Sequence, residues 1–554
     1  MTKRIIVLFT ICLFTTNLFR AQAVDKAALN ALIDSRISPG TPGIAVGVVY
    51  QGEVVYEHYT GLANLEFEVP VDAKSVFNIA SVAKQFTAAM VLDLSIKGRL
   101  DLKDDIRTYL PDLYNGIKDP ITLAQIITHT SGIRDYSDLM GIQRNPWWRR
   151  EGLDNKDVVE LLEKQESLNF NPGTDYTYSN SGYILLTEVI AKVSGEPFAD
   201  YAKKWFAALG MEHTQYSDNY MEVFPNKATA YANWGDGRWQ IYPMITNLHG
   251  DGFLYTTLAD MLSYEKQVQA AVLAAGASWM AASQQALNLS PTGYSYGLEH
   301  SNFRGQPMIF HSGATGAYGA HVVRLPQDQL AVFVMNNGIV DASSLAMQVL
   351  ETIYGPQEAK VHQAVMPAKI GSKPKEAELL GTYLLESSTK VNIVKRNDSL
   401  YREIEGATPV ALAHIKGNVY KYTNGSGLVL AFVKSEQTPG QYDFELYHPE
   451  IPMRKGAWLP PLVINPEELK VLAGHYKNDE LDSQMELQYL GEAQFSVKLK
   501  ERALDATLIR ANTIRVNGGY ILRPQFAADG TLSGFLLNYG RVQNVFYAKM
   551  DPKK

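Results

Sequence analysis

The chain has 554 residues, with 51 basic and 58 acidic side chains that give a net charge of −7 at pH 7. A chain of this length exceeds what one hydrophobic core organises, so two to four domains are expected. No stripe of basic residues runs through this mildly acidic sequence, which argues against a nucleic acid as its partner.

The first 23 residues have the pattern of a secretory signal. Two basic residues precede a mostly apolar run over 5–19, and Ala21-Gln22-Ala23 has the small-x-small form of a cleavage site. The run is short for a membrane span, and an uncleaved N-terminal anchor is the alternative interpretation. Cys12, the only cysteine, lies inside this segment, so we expect a mature chain without disulfides or a thiol nucleophile. We therefore expect a bacterial protein that is periplasmic or secreted.

Residues 24–360 mix helical and strand patterns. Apolar runs at 44–50 and 54–56, on either side of Gly52, predict a β-hairpin. Helical patterns follow near 81–97, 121–128, 156–165, 181–194 and 257–275. Strand patterns return at 318–324 and 329–335. Strands at both ends of a helical middle predict an α+β domain, in which an antiparallel sheet packs against helices.

Residues 361–554 have a different composition, in which alternating polar and apolar residues dominate. The segment 379–383, Leu-Leu-Gly-Thr-Tyr, recurs as Leu-Ala-Gly-His-Tyr at 472–476, and each copy follows an acidic, helix-like turn. This repeat predicts two all-β modules with a barrel-like or sandwich fold, over 361–462 and 463–554. One larger β domain is the alternative.

A serine and a lysine stand three residues apart where a helical pattern begins, in Ser81-Val82-Ala83-Lys84. On a helix, residues i and i+3 lie on one face, about 5–6 Å apart. A serine hydroxyl is a poor nucleophile at neutral pH and needs a nearby base, which Lys84 can supply. A helix cap followed by a solvated lysine is the structural alternative.

Two later segments carry complementary chemistry. In Tyr178-Ser179-Asn180, a deprotonated phenol can accept a proton and an amide can orient a substrate carbonyl. In His311-Ser312-Gly313-Ala314, ahead of a predicted strand, the glycine lets a substrate approach the strand edge closely. A main-chain N–H group there can complete an oxyanion hole with that of Ser81.

Two other polar residues receive structural interpretations. His129 ends a helical pattern, and its ring is expected to bond to the backbone while Gly132 closes the turn. Asp251, between two glycines, is expected to form a turn in a loop that can also line the site.

The order and spacing of these motifs resemble the penicillin-recognising serine hydrolases, whose signature includes Ser-x-x-Lys. The closest branch contains class C β-lactamases, D-aminopeptidases and related esterases. The resemblance spans about residues 28–350 and includes the connecting phrases at 97–102, 250–257 and 336–338.

The resemblance implies a role for each motif residue. Ser81 would be the acylated nucleophile, and Lys84 would be its proton partner. Tyr178 would share the base role and protonate the leaving group, while Asn180 would hold the substrate amide. The N–H groups of Ser81 and Ala314 would bind the oxyanion. Whether the lysine or the tyrosine is the base stays open, so the two are treated as a coupled pair.

The third motif departs from the commoner family pattern. Many relatives carry a Lys-Thr-Gly triplet where this chain has His311-Ser312-Gly313. A permanent ammonium suits a substrate carboxylate, whereas a histidine with an ordinary pKa is mostly neutral at pH 7. This substitution disfavours a DD-carboxypeptidase or an efficient β-lactamase. His-x-Gly and a tail of two β modules instead resemble the D-aminopeptidases and esterases.

We therefore expect an exported serine hydrolase, D-aminopeptidase- or esterase-like, that acts on small peptides or esters through an acyl-serine. A β-lactamase or DD-carboxypeptidase is the first alternative, and a non-catalytic penicillin- or glycan-binding protein is the second. No cofactor is expected, and the histidine spacing matches no metal-binding motif. The expected partners are a small-molecule or short-peptide substrate, with contact to the cell wall left open.

Overall fold

The computed structural model describes residues 24–274, 278–338, 340–355, 365–385, 389–404, 406–448, 453–460, 462, 464–510 and 512–551. The predicted signal, residues 1–23, lies outside the described residues. The chain divides into two compact units, residues 1–356 and 357–554. Within the described residues, the structure contains no helix that combines the length and the apolar character needed to cross a membrane.

The N-terminal unit contains helices and mainly antiparallel strands. Its helices are α1 (Lys26–Asp34), α2 (Lys84–Ile96), α3 (Leu123–Ile127), α4 (Tyr136–Ile142), α5 (Asn155–Glu163), α6 (Asn180–Ser194), α7 (Phe198–Ala208), α8 (Leu258–Leu273), α9 (Trp279–Ser283) and α10 (Ala342–Tyr354). Its strands are β1 (Ile44–Tyr50), β2 (Glu53–Thr60), β3 (Leu62–Asn64), β4 (Val69–Pro70), β5 (Val76–Asn78), β6 (Gln215–Tyr216), β7 (Tyr231–Ala232), β8 (Gln240–Ile241), β9 (Leu254–Thr257), β10 (Glu299–Phe303), β11 (Gln306–Thr315), β12 (Tyr318–Leu325) and β13 (Leu330–Asn336). In the described part of this unit, 3₁₀ turns span Ala80–Ala83, Ile106–Thr108 and Trp147–Arg149.

Six antiparallel strands form the main sheet, in the order β10-β11-β12-β13-β1-β2. Strand β1 is buried on both faces, which explains its nearly continuous apolar sequence. On one face, Ile44, Val46 and Val48 join a core with residues of α1 and α10. On the other face, a Cβ on Gly47 would lie 2.8 Å from Leu262, so α8 packs closely against the strand. The sheet therefore lies between helices, as the predicted α+β fold requires.

A smaller sheet, β5-β9-β6, brings two distant loops together. Asn78 on β5 is paired with Tyr255 on β9, and the N–H of Ile79 donates to the carbonyl of Leu254 at 3.0 Å. Strand β5 leads directly into the turn that contains Ser81, and β9 directly follows the loop that contains Asp251. The pairing of β5 with β9 therefore places these two loops side by side.

The helical patterns of the N-terminal unit correspond to observed elements with small shifts at their ends. The pattern at 81–97 corresponds to the 3₁₀ turn Ala80–Ala83 and α2, and the pattern at 181–194 corresponds to α6. The sequence does not predict α1, α4, α7, α9 or α10, although the apolar residues of α1 and α10 cover one face of the main sheet.

The C-terminal unit consists of two closed, eight-stranded barrels, each with its strands in sequence order. The first contains β14 (Gly381–Leu385), β15 (Lys390–Arg396), β16 (Ser399–Glu403), β17 (Val410–Lys416), β18 (Val419–Tyr422), β19 (Val429–Lys434), β20 (Tyr442–Tyr447) and β21 (Arg454–Leu459). The second contains β22 (Gly474–Asn478), β23 (Ser483–Gly491), β24 (Gln494–Leu499), β25 (Arg502–Arg510), β26 (Thr513–Val516), β27 (Tyr520–Phe526), β28 (Leu532–Tyr539) and β29 (Val542–Lys549). Short helices α11 (Glu376–Leu379) and α12 (Pro466–Lys470) precede the barrels.

The repeated five-residue segment has the same structural role in both barrels. Tyr383 and Tyr476 are fully buried, and their hydroxyls donate to the carbonyls of Leu379 and Leu472. Each copy thus fastens the helical entry of a barrel to its first strand. The prediction of two all-β, barrel-like modules is confirmed, and the alternative of one larger β domain is wrong.

Candidate active site

The Ser81 hydroxyl lies on a short 3₁₀ turn at the start of α2. The preceding residue, Ala80, has a φ of 48°, in the left-handed region that alanine rarely adopts. Its N–H donates to Oδ1 of Asn78 at 2.8 Å, which ties the turn to β5. In a 3₁₀ helix, side chains at i and i+3 are eclipsed, so this turn points Ser81 and Lys84 in the same direction.

Lys84 is fully buried and holds its amine against the serine. Its Nζ lies 3.1 Å from Oγ of Ser81 and 2.8 Å from Oδ1 of Asn180. It also contacts the main-chain carbonyl oxygen of Asp251. The oxygens of Asn180 and Asp251 only accept hydrogen bonds, whereas the Ser81 hydroxyl can either accept or donate. The arrangement therefore suits an amine that receives a proton from Ser81.

The Tyr-x-Asn motif lies at the entry to α6 and completes this cluster. The Tyr178 ring centroid is 5.1 Å from Nζ of Lys84, and Asn180 is the first residue of α6. The N–H of Asn180 donates to Oδ2 of Asp135 at 2.7 Å, which fixes the start of the helix. The structure thus brings Ser81, Lys84, Tyr178 and Asn180 together.

His129 packs against the loop that contains Tyr178. It is buried, its Nδ1 accepts the N–H of Ser179 at 3.2 Å, and its ring lies 4.3 Å from that of Tyr178. The bond between its ring and the backbone agrees with the structural interpretation made from the sequence. Its packing against Tyr178 also makes it a positioning residue for the cluster, which the sequence did not indicate.

Gly313 on β11 lies directly against the Ser81 turn. A Cβ at this position would be 2.4 Å from the carbonyl oxygen of Ile79 and 3.0 Å from the nitrogen of Ser81. Only glycine therefore allows this close approach. The next residue along β11, Ala314, is exposed.

His311 is buried and electrically neutral. Its Nδ1 lies 2.7 Å from the carbonyl oxygen of Ser312, which only accepts, so Nδ1 carries the proton. Its Nε2 then accepts from the hydroxyl of Tyr294 at 3.0 Å. Burial lowers the pKa of His311 to about 3, and a positive charge on Lys84, when it is protonated, acts in the same direction. At neutral pH this motif therefore presents no positive charge to a substrate.

The side chain of Ser312 lies on the opposite face of β11. Its Oγ is 3.0 Å from Nδ1 of His321 on β12 and 2.9 Å from Oγ of Ser343 on α10. Because side chains alternate along a strand, His311 and Gly313 face the Ser81 cluster while Ser312 faces away from it. The structure does not bring the Ser312 hydroxyl to the other predicted site residues.

Two residues that the sequence did not assign to the site contribute to it. Tyr294 bonds to His311 and packs against the rings of His129 and Tyr178, at 4.4 and 5.8 Å. Asp251 supplies the carbonyl that Lys84 contacts, so its loop lines the site as well as turning the chain. Tyr294 stands between glycines in a Tyr-Ser-Tyr-Gly stretch, and this pattern is too common to assign the tyrosine to a site by itself. Within the described residues, no group of three or more His, Cys, Asp or Glu side chains is arranged to hold a metal ion.

Comparison with known proteins gives consistent family and fold matches. A model of the protein family described as Beta-lactamase matches residues 27–350. Penicillin-binding protein 4* of Bacillus subtilis is 27% identical over 384 residues, covering 64% of this chain and 82% of that protein. The D-aminopeptidase of Gluconobacter oxydans is 28% identical over 366 residues, covering 65% of each protein. This chain thus spans slightly less than two thirds of that relative's length.

A solved structure shares the fold. The octameric penicillin-binding protein homologue from Pyrococcus abyssi superimposes with a TM-score of 0.56 and 23% sequence identity. The match covers 78% of this chain and all of that one. At this level of identity, the likeness shows a common fold and no more.

Proposed function

Because this chain belongs to the Beta-lactamase family, as its motifs predicted, we propose that it is a serine hydrolase that works through an acyl-serine. It cleaves the amide or ester bonds of small peptides or small esters. The observation that carries the proposal is the fully buried Lys84, whose Nζ lies 3.1 Å from Oγ of Ser81. A lysine removed from water beside a serine hydroxyl is placed to act as its base.

Acylation begins with a proton transfer from Ser81. The proton passes from Oγ to the lone pair of Lys84 Nζ while Oγ forms a bond to the substrate carbonyl carbon. Tyr178 then donates its phenol proton to the leaving amine or alcohol and regains one from the Lys84 ammonium, and water later hydrolyses the ester on Ser81. We treat Lys84 and Tyr178 as a coupled acid–base pair, which their 5.1 Å ring-to-amine distance supports.

Main-chain N–H groups stabilise the developing oxyanion in this proposal. Gly313 lets β11 approach the nitrogen of Ser81, so the N–H groups of Ser81 and Ala314 are assigned to this role. Asn180 is assigned to hold the substrate amide, since its side-chain oxygen already orients Lys84 at 2.8 Å.

The neutral third motif favours substrates without a carboxylate next to the scissile bond. His311 has its proton on Nδ1 and its Nε2 bonded to Tyr294, so it offers no charge to a carboxylate. A D-aminopeptidase is among the similar proteins, and its activity agrees with this selection. We therefore propose a D-aminopeptidase- or esterase-like activity over that of a β-lactamase or DD-carboxypeptidase.

A substrate panel tests the proposal directly. Purified protein is assayed with D-alanyl amides, nitrophenyl esters, peptides ending in D-Ala-D-Ala and a chromogenic cephalosporin. We expect turnover of amides with a free amine or of esters, at rates that exceed those for the last two classes. Faster turnover of the D-Ala-D-Ala peptides or of the cephalosporin would contradict the substrate proposal. Binding of penicillin or glycan without turnover of any substrate would contradict the hydrolase proposal.

We also propose export and a four-part division of the chain. The segment 1–23 would be removed, and 24–360, 361–462 and 463–554 would form the hydrolase domain and the two barrel modules. The pattern of the first 23 residues supports export. Expression in a bacterial host should give a periplasmic or secreted protein that begins at Val24. A protein that keeps its first residues in the cytoplasm or the membrane would contradict export.

A further inference from the structure

The loop that contains Asp251 is forced into the protein interior. Gly250 has a φ of 101°, and a Cβ there would lie 2.1 Å from the Thr187 side chain on α6. On the other side, Oγ1 of Thr87 on α2 donates to the Gly250 carbonyl at 2.7 Å. The loop therefore passes between α2 and α6, and Asp251 is only 5% exposed.

The carboxyl group of Asp251 is only partly compensated in this position. Its Oδ2 accepts the hydroxyl of Tyr136 at 3.2 Å, while its buried Oδ1 has no hydrogen-bond partner among the described residues. Burial raises the pKa of Asp251, and a positive charge on Lys84, when it is protonated, opposes this rise. An acid with an unsatisfied buried oxygen is costly, and an asparagine would fit the same space without a charge. Such local conflicts are expected where function requires them.

We propose that Asp251 is a positioning residue whose buried carboxylate stabilises the ammonium that Lys84 becomes when it takes the proton of Ser81. This inference rests on the proposed function. In that step the O–H bond of Ser81 breaks and its proton joins Nζ, while Oγ forms a bond to the substrate carbonyl carbon and the carbonyl π pair moves onto oxygen. The new positive charge appears in a buried pocket, against the main chain of Asp251 itself.

Other groups around this pair do not supply the same compensation. Asp135, the second acid that acts on Asp251, uses one carboxyl oxygen for the N–H of Asn180 and the other for Ser137. Among the described residues, the other titratable groups near Asp251 or Lys84 include a neutral imidazole and several phenols: His311, Tyr136, Tyr178, Tyr183 and Tyr216. Asp251 is thus the acid near Lys84 whose carboxyl keeps a buried oxygen without a hydrogen bond.

The test compares the wild type with Asp251→Asn over a range of pH. The rate of fluorophosphonate inactivation, which reports attack by Ser81, is measured from pH 4 to 10. Without the carboxylate, the ammonium forms less readily, so the acidic limb of the profile should move to lower pH by about 1 unit or more. The plateau rate should fall about tenfold or more, because the charge formed during attack is less stabilised. The asparagine keeps the bond from Tyr136, so the unfolding temperature should not fall.

A matched control separates this effect from burial in general. Asp93 is another buried acid, and it lies on α2, about 13 Å along the helix from Lys84. It accepts a hydrogen bond from Nε1 of Trp205. Asp93→Asn should leave the acidic limb where the wild type has it. Asp251→Ser is a second neutral variant, which must show the same shift if charge is the cause and which guards against a folding defect of Asp251→Asn.

The outcomes distinguish the inference from the function on which it rests. A wild type that the probe does not modify would overturn the proposed function and this inference with it. The inference alone would be overturned if the wild type reacts and both variants, Asp251→Asn and Asp251→Ser, fold and keep the acidic limb of the wild type.

Discussion

Replacing Gly313 by alanine should slow attack by Ser81 strongly and lower the stability of the protein moderately. The added Cβ would lie 2.4 Å from the carbonyl oxygen of Ile79, whereas ordinary contacts begin at about 3.4 Å. Strand β11 and the Ser81 turn must therefore separate by about 1 Å. A misplacement of this size costs about a hundredfold in rate, which corresponds to about 2.7 kcal/mol in the activation barrier.

The assay is the second-order rate of fluorophosphonate inactivation, measured beside thermal unfolding. We expect Gly313→Ala to react about a hundredfold more slowly and to lose about 1–3 kcal/mol of stability through overpacking. Gly116→Ala is the matched control, because its Cβ would meet nothing closer than 3.9 Å. It should react like the wild type. A folded Gly313→Ala protein with the wild-type rate would refute the close approach of β11 to Ser81 as a requirement for attack.

Further predictions concern the third motif. His311→Lys should raise the rate on peptides with a C-terminal carboxylate relative to nitrophenyl esters, because it adds a positive charge; an unchanged ratio of the two rates would contradict our account of substrate selection. The depressed pKa of His311, about 3 against an ordinary 6.5, means that the unfolded chain binds a proton which the folded chain does not. The contribution of His311 to the free energy of unfolding should therefore be complete above pH 6.5 and should be lost as the pH drops from 6.5 toward 3. In denaturant titrations over that range, His311→Asn should reduce the pH dependence by about 1 kcal/mol per pH unit, and an equal slope in both proteins would contradict the assigned neutral state. Tyr294→Phe should cost about 1–3 kcal/mol in the free energy of unfolding, because Nε2 of His311 loses its donor inside the protein; a variant as stable as the wild type would show that this bond contributes nothing.

Local spacing predicted much of the site, because its central pair is local in sequence. Ser81 and Lys84 are three residues apart, and any helical turn would bring them together; the structure adds that the turn is 3₁₀ and that Ala80 holds a rare backbone conformation. The five-residue repeat similarly predicted the two barrels, because a buried tyrosine recurs at the same point of each module.

Long-range contacts explain what the sequence did not predict. The carbonyl of Asp251 contacts Lys84, which is 167 residues away in the sequence. The pairing of β5 with β9 brings them together, and no local sequence pattern predicts that pairing. Tyr294 is assigned to the site by its bond to His311 and its packing against His129 and Tyr178, which are contacts between distant parts of the chain. The orientation of Ser312 could have been predicted from the sequence, since alternation along a strand places its side chain on the face opposite His311 and Gly313.

The central claim is that Ser81 forms the acyl-enzyme. Intact mass measured after incubation with a fluorophosphonate tests it most directly, on the wild type, Ser81→Ala and Ser312→Ala. We predict one adduct on the wild type and on Ser312→Ala, whose hydroxyl faces away from the site, and none on Ser81→Ala. An adduct that persists on Ser81→Ala, or a wild type that forms none, would contradict the account.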